Sequence, residues 1–222
     1  MRPIFVTGIG TEVGKTVVSA ILVEALRADY WKPIQVGDLD ETDTERVRKL
    51  LSNRHSFLHP ETVRLRTAAS PHAAARREGK EIHLGMFSVP QTAGRPLVIE
   101  GAGGVLVPLN ETHCMVDLIK RLHCETVVVS KHYLGSINHT LLTVEALERG
   151  GIEILGLVFN GEENADTESL ILSKTGVPLL GRIRWEPRIT PGVIKRYADE
   201  LTPALARHRR TSAELTSRSR QE

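Results

Sequence analysis

The stretch Gly8-Ile9-Gly10-Thr11-Glu12-Val13-Gly14-Lys15-Thr16 decides the architecture of this chain. It follows a short apolar run, Ile4-Phe5-Val6. It precedes residues 17–28, where Val18, Ile21, Leu22, Ala25 and Leu26 recur at the spacing of one helical face. A glycine-rich turn between a strand and a helix gathers backbone N–H groups and the positive end of the helix at one spot. The pattern therefore predicts an anion cradle, with Lys15 able to reach outer phosphates and the Thr16 hydroxyl able to ligate magnesium. The strict loop template places its first glycine where Ile9 stands; Gly8 lies one place earlier, with five residues between it and Gly14. A chance turn carrying a surface lysine is the plain alternative, and the strand–loop–helix context argues against it.

Outward from the cradle, short β-branched runs recur at 97–99, 126–129, 154–159 and 178–180, with a weaker strand candidate over 30–36. Each is too short for a helix and reads as a strand covered on both faces. Helix-like stretches fall between them at 44–51, 71–78, 116–122, 137–149, 167–175 and 192–205. Alternation of this kind implies right-handed crossovers and a parallel sheet. The expected fold class is α/β: a single P-loop NTPase-like domain over 1–206, mostly parallel sheet with helices on both faces. Residues 207–222, opening Arg207-His208-Arg209-Arg210, are expected to form a polar, disordered tail.

Composition narrows the function classes. The chain has 222 residues, 41% hydrophobic and 25% charged, ordinary values for one soluble domain. Aromatics are only 4%, which favours an aliphatic, sheet-centred core over an aromatic-rich sandwich. The formal charge of +2 concentrates in the tail, and no basic stripe recurs elsewhere, so nucleic acid is not an expected partner. Cys114 and Cys124 form no framework and read as free thiols of a reducing compartment. The N-terminus runs straight into the motif without the pattern of a signal peptide, and no apolar run approaches membrane-spanning length. A soluble, cytoplasmic protein without a membrane partner is expected.

A phosphate cradle needs acids for its metal. Glu100 ends one strand candidate and is followed by Gly101-Ala102-Gly103-Gly104, a turn that lets backbone approach a ligand. Ligands of open parallel sheets gather at that edge. The acidic stretch Asp38, Asp40, Glu41, Asp43 and Glu45 offers a second carboxylate, of which a magnesium site needs one or two.

Five segments, taken in order, resemble one family, the dethiobiotin synthetases. They are the loop with its longer Gly8 spacing and Thr11-Glu12-Val13-Gly14-Lys15-Thr16 core; Trp31-Lys32-Pro33-Ile34-Gln35; Ser70-Pro71-His72; Glu100-Gly101-Ala102-Gly103-Gly104; and Gly135-Ser136-Ile137-Asn138-His139. Order and spacing agree from Phe5 to about Trp185. The resemblance implies a ligase that uses ATP and Mg2+ to join carbon dioxide to 7,8-diaminononanoate as a cyclic urea, in biotin biosynthesis. One amine takes up carbon dioxide as a carbamate, whose oxygen attacks the γ-phosphate. The second amine then closes the ring and expels phosphate.

The same resemblance implies the site. Lys32, Lys15 and Thr11 are the expected catalytic residues. Glu12, Val13, Gly14, Lys15, Thr16, Val17, Asp43, Glu100, Gly101, Ala102, Gly103 and Asn160 are expected against the nucleotide, with Asn160 reading adenine. Thr16, Asp43 and Glu100 are the expected magnesium ligands, with Asp40 the nearest competitor of Asp43. Lys32, Gly135, Ser136 and Asn138 are expected against the diamine substrate, the last three from the other subunit of a homodimer.

Two departures stand out. Val36 occupies the position, four residues after Lys32, where the family has Ser or Thr, and Arg184 stands where it often has Pro. Taken apart from the resemblance, Lys32 reads equally as a surface lysine, Asn138 as a helix cap, and His72 and His139 as helix-start hydrogen-bonders. The rival function is a deviant P-loop switch ATPase of the partition and cell-division kind. Those carry a second lysine at the place of Gly10. A related amide-forming synthetase domain, normally fused to a glutaminase, is a longer chain.

Overall fold

The computed structural model describes the backbone of residues 2–218 and the side chains of 2–207. Of the tail expected over 207–222, the backbone of 207–218 continues the last helix, and 219–222 lie outside the described residues. β1 (Ile4–Gly8), β2 (Asp29–Trp31), β4 (Leu58–His59), β6 (Leu97–Gly104), β7 (Glu125–Lys131), β8 (Ile154–Asn160) and β9 (Leu179–Ile183) form one sheet in the order β4-β2-β6-β1-β7-β8-β9. Every pairing in it is parallel. Helices α1 (Lys15–Leu26), α2 (Asp43–Leu50), α3 (Pro71–Arg77), α4 (Met115–Arg121), α5 (Ser136–Arg149), α6 (Ala165–Thr175) and α7 (Pro191–Arg218) connect the strands.

Chain direction sets the layers. From β1 the chain moves past β6 to β2, whereas β6 to β7, β7 to β8 and β8 to β9 all run the opposite way. Right-handed crossovers then place α1 on one face of the sheet and α4, α5 and α6 on the other. α7 packs on α1 and so joins the first face. The sheet between them is buried on both sides, with Ile4, Phe5, Val6, Val98, Ile99, Val127, Val128 and Val158 fully enclosed. The reversal beside β1 opens a crevice at the C-terminal ends of β1, β6, β7 and β8.

Two local expectations are corrected, and two short strands are added to those expected. The strand expected over 30–36 is two strands in different sheets: β2 ends at Trp31, and β3 (Ile34–Val36) pairs with β5 (Val63–Leu65). Pro33 causes the break, since it has no N–H for a ladder and restricts Lys32 before it. Strands β4 and β5, of two and three residues, fall below the length at which alternation shows. The glycine run after Glu100, read as a turn, continues β6 as far as Gly104, opposite Gly8 of β1.

Gly101 shows why that run is glycine. A Cβ on it would lie 2.6 Å from the Phe5 ring and 3.4 Å from the Val6 carbonyl oxygen, and the ring is fully buried. Gly101→Ala should therefore force β6 away from β1, lowering stability by roughly 1–3 kcal/mol in urea unfolding. An unchanged unfolding midpoint would show that the Phe5 ring yields at no cost.

Candidate active site at the phosphate loop

The loop between β1 and α1 takes its shape from two constraints. Gly14 has φ +99°, and a Cβ there would lie 2.5 Å from Asn160 Nδ2. Asn160, the last residue of β8, donates that Nδ2 to the Val13 carbonyl at 2.8 Å, so β8 braces the loop from outside. On the other side Ile9 N–H donates to the Val129 carbonyl at 3.1 Å. Thr11 and Glu12 stand exposed at the rim, Glu12 with φ +56°. Lys15 begins α1 and folds back, its Nζ donating to the Gly10 carbonyl at 2.8 Å. Burial, with the nearby Lys32 charge, pulls its ammonium down to about 8 from 10.5.

Beneath the loop lies a knot of charge. Lys32 Nζ sits between Asp43 Oδ2 at 2.8 Å and Glu100 Oε1 at 3.0 Å, and also donates to the Gly101 carbonyl at 3.1 Å. The Thr16 hydroxyl donates to Glu100 Oε1 at 2.9 Å and lies 3.3 Å from Asp43 Oδ1. Burial alone would lower the Lys32 pKa, but the Glu100 and Asp43 carboxylates raise it above the ordinary lysine value. Burial resists ionisation of Asp43 in turn, and the Lys32 ammonium nevertheless holds it below the usual range. Lys32 is thus a buried strand-end cation at 5% side-chain exposure, not a surface lysine.

Three elements supply this knot, and their local sequence explains how. Asp43 opens α2 behind Thr42, whose side chain accepts from Glu45 N–H while Glu45 returns the bond to Thr42 N–H. That capping box fixes the register and picks Asp43 from the acidic stretch, since Asp38 and Glu41 pair outward with Arg46 and Lys49. Glu100 comes from the centre of β6 and Lys32 from the break after β2.

Two members of the cluster were not legible from sequence. Buried Tyr30 donates its hydroxyl to Glu100 Oε2 at 2.8 Å. Burial and the Glu100 charge keep its phenol well above the ordinary value, so it stays a donor. Gln35 accepts from Asp43 N–H at 3.2 Å and donates to the Gly37 carbonyl at 3.0 Å. Both read as plain strand residues: the Tyr30 partner lies 70 positions away, and the Gln35 partner Asp43 lies eight positions on, in a different element.

Beside the loop a cavity of about 570 Å³ is lined by Gly14, Val17, Asn160, Gly161, Ile183 and Trp185 among others. It has the size and mixed lining of a small-ligand site, and it opens directly from the anion cradle. Ala102 and Gly103 continue β6 past the knot. Gly135 caps α5 with φ +103°, Ser136 is buried and Asn138 is exposed on the first turn. That turn lies on α5, away from the Thr16–Lys32–Asp43–Glu100 contacts. Asn138 makes no cap, because Gly135 holds the cap position without a side-chain bond. His72 bonds the Ser70 hydroxyl at 3.0 Å and His139 the Tyr133 hydroxyl at 2.7 Å, so each has a local partner at its helix start. Among the described residues no group of three or more His, Cys, Asp or Glu could hold a metal. The hard-cation donors around the Lys32 ammonium include the Asp43 and Glu100 carboxylates and the Thr16 hydroxyl.

The Lys15 shift has a sign that can be measured. Polyphosphate binds the ammonium, so affinity for a nucleoside triphosphate should fall as pH rises through about 8, with proton uptake on binding just above it. Calorimetry in buffers of different ionisation enthalpy reads that uptake. Lys15→Arg, charged throughout, should abolish it; persistence in Lys15→Arg would assign the proton elsewhere.

The protein-family model AAA_26, an AAA domain, matches residues 2–192. The protein of Cytophaga hutchinsonii named ATP-dependent dethiobiotin synthetase BioD is 52% identical over 201 residues, covering 90% of this chain and 97% of its own. Its namesake in Christiangramia forsetii is 49% identical over 201 residues, covering 90% and 96%. Among solved structures, the MinC:MinD cell division complex of Aquifex aeolicus superposes with a TM-score of 0.59 over 93% of this chain and 95% of that one. At 11% identity that likeness shows the fold alone. Identity near one half along almost the whole length of both relatives is of another order, and on it the chain belongs to the ATP-dependent dethiobiotin synthetase family.

Proposed function

We infer that this chain is an ATP-dependent dethiobiotin synthetase, a ligase that converts 7,8-diaminononanoate, carbon dioxide and ATP to dethiobiotin, ADP and phosphate in biotin biosynthesis. The observation that carries it is the 52% identity to a relative so named, over 97% of that relative. The knot of Thr16, Lys32, Asp43 and Glu100 beneath a phosphate loop supplies the matching chemistry.

The residues fit magnesium. An ammonium already stands between Asp43 Oδ2 and Glu100 Oε1, so the pocket accepts a cation, and its donors are hard oxygens. Thr16, Asp43 and Glu100 are the ligands in this reading. The ion, when bound, neutralises charge on the transferring phosphoryl group. The cavity beside Gly14 and Asn160 takes the base, and the main chain from Glu12 to Val17, with Gly101 to Gly103, faces the phosphates.

Every stage of the reaction gathers negative charge on oxygen, so fixed cations carry the catalysis. Lys15 exchanges its bond to the Gly10 carbonyl for a phosphate oxygen, and Thr11 donates to a phosphate or carbamate oxygen from the rim. Lys32 reaches the carbamate as its oxygen attacks phosphorus and ADP leaves. The second amine then attacks the carbamoyl carbon, and phosphate departs with the C–O bond's electron pair. Lys32 starts from its charged form, which the two carboxylates secure in the closed knot.

The diamine carries a carboxylate at the far end of a long apolar chain, and a second anion site must meet it. The α5 start at Gly135, Ser136 and Asn138 suits that role across a homodimer interface, with the Ser136 N–H already donating to the Tyr133 carbonyl at 3.0 Å. Leu134 is fully exposed beside it, with Tyr133 and Leu142 also exposed, an apolar surface that a second copy of the chain covers in this reading. Among the described residues no helix is long and apolar enough to cross a membrane, and the cytoplasm is the proposed location.

Pure protein with Mg2+, ATP, bicarbonate and diaminononanoate should yield the cyclic urea, one per ADP, by mass spectrometry. ADP released at the same rate without diamine would overturn the synthetase reading. The shared site has its own test, the mixing of Lys15→Ala with Gly135→Glu, each inactive alone. Mixed dimers hold one intact site, so re-equilibrated mixtures should recover toward about a quarter of wild-type activity. Silence from verified heterodimers would place both halves of the site in one subunit.

A further inference from the structure

Glu100 is held by three side-chain donors, and they divide its two oxygens unevenly. Thr16 Oγ1 at 2.9 Å and Lys32 Nζ at 3.0 Å both fall on Oε1. Oε2 takes the Tyr30 hydroxyl at 2.8 Å. Strand geometry produces the sorting. Tyr30 on β2 pairs with Val98 of β6, so Glu100 stands two residues further along the same face, a diagonal the length of a phenol ring spans. Both side chains are fully or almost fully buried, at 0% and 1% exposure, so no water takes the place of the phenol.

We propose that Tyr30 is a positioning residue that sets ion specificity: by holding Oε2 it leaves Glu100 a single oxygen for the cation, which favours Mg2+ over Ca2+. The inference rests on Glu100 being a metal ligand, as read above. Mg2+ is small, keeps several waters and takes single carboxylate oxygens in near-octahedral array. Ca2+ accepts about six to eight oxygens at longer distance and readily takes a carboxylate through both. Turning Glu100 to offer both oxygens would strand a buried phenol without a partner, and a stranded buried donor is costly. Asp43 carries no such restraint, since its oxygens face only Thr16, Lys32 and the exposed Arg46. Selectivity between the ions therefore falls to the Tyr30–Glu100 pair.

Tyr30→Phe keeps the ring and removes the donor. ATP binding followed by calorimetry without diamine, with Mg2+ or Ca2+ titrated, reads ion preference with no turnover. The affinity of free ATP for each ion cancels between variants. Tyr30→Phe should shift the preference toward Ca2+ by about tenfold, the worth of one hydrogen bond to a charged group. Metal-free ATP binding should be unchanged, which doubles as the check on folding. Tyr30→Leu, also without a donor, carries the test if Tyr30→Phe does not fold. In a Glu100→Gln background the Tyr30 change should add no further shift. A wild-type ion preference in Tyr30→Phe, or an equal shift in both backgrounds, overturns the proposal while leaving Glu100 as ligand. Unaltered metal dependence in Glu100→Gln itself would overturn the metal reading and this inference with it.

Discussion

The parallel pairing of β1 with β6 is the constraint on which the site depends. It sets Val6 beside Glu100 and Gly8 beside Gly104, and so delivers a carboxylate to the base of a loop that lies far from it in sequence. Without that register Thr16 and Glu100, separated by 84 positions, would not share a hydrogen bond. The pairing needs close approach, and the glycines of β6 give it: Gly101 clears the Phe5 ring, and a Cβ on Gly104 would lie 3.4 Å from the Gly8 carbonyl oxygen. A single sheet edge thus does the work of two, holding the core and presenting the acid.

The charges collected there would be expensive if any stood alone. Lys32, Glu100 and Asp43 are all largely buried, and burying an ion costs several kcal/mol before partners compensate. Together they balance, with Lys32 bonded to both carboxylates and to the Gly101 carbonyl. Removing one member typically costs about 3–5 kcal/mol, because the charge left behind has nowhere to go. In the proposed reading, Asp43 and Glu100 would hold the magnesium ion in place of the Lys32 ammonium they pair with here. Lys15 follows the same logic on the upper side, resting on a backbone carbonyl that a phosphate oxygen readily replaces.

Sequence made the ends of strands legible and left their lateral neighbours hidden. Gly8 to Thr16 and Glu100 to Gly104 announce themselves because glycine spacing is local. The helices of the described residues begin within two positions of their expected starts because apolar periodicity is local as well, although α7 runs past its expected end at 205 to Arg218. The choice of Asp43 over Asp40 was not a matter of periodicity. It follows from the capping box of Thr42 and Glu45, which pins α2 one residue before the apolar pattern begins. Tyr30 and Gln35 escaped notice for a different reason: each is chosen by a partner in another strand or helix, and nothing beside it in the chain records that. The Lys32-Pro33 break was visible as residues but not as a change of sheet, since a proline tells where a ladder stops and not where the next one pairs.

The two departures from the family pattern find different accommodation. Arg184, where a proline is usual, uses the N–H that proline lacks: it donates to the Tyr197 hydroxyl at 3.1 Å, and that hydroxyl donates in turn to Glu186 at 2.7 Å. The loop beyond β9 is thereby tied to α7 by hydrogen bonds where a ring would have stiffened it by covalent geometry. Val36 has no such substitute. It lies half-buried against the core at the end of β3, offering no hydroxyl where the family has one. The neighbouring Gln35 spends both ends of its amide on Asp43 N–H and the Gly37 carbonyl, so it cannot stand in. The polar contacts of this segment thus rest on Lys32, Gln35 and Asp43, with Val36 an apolar side chain among them.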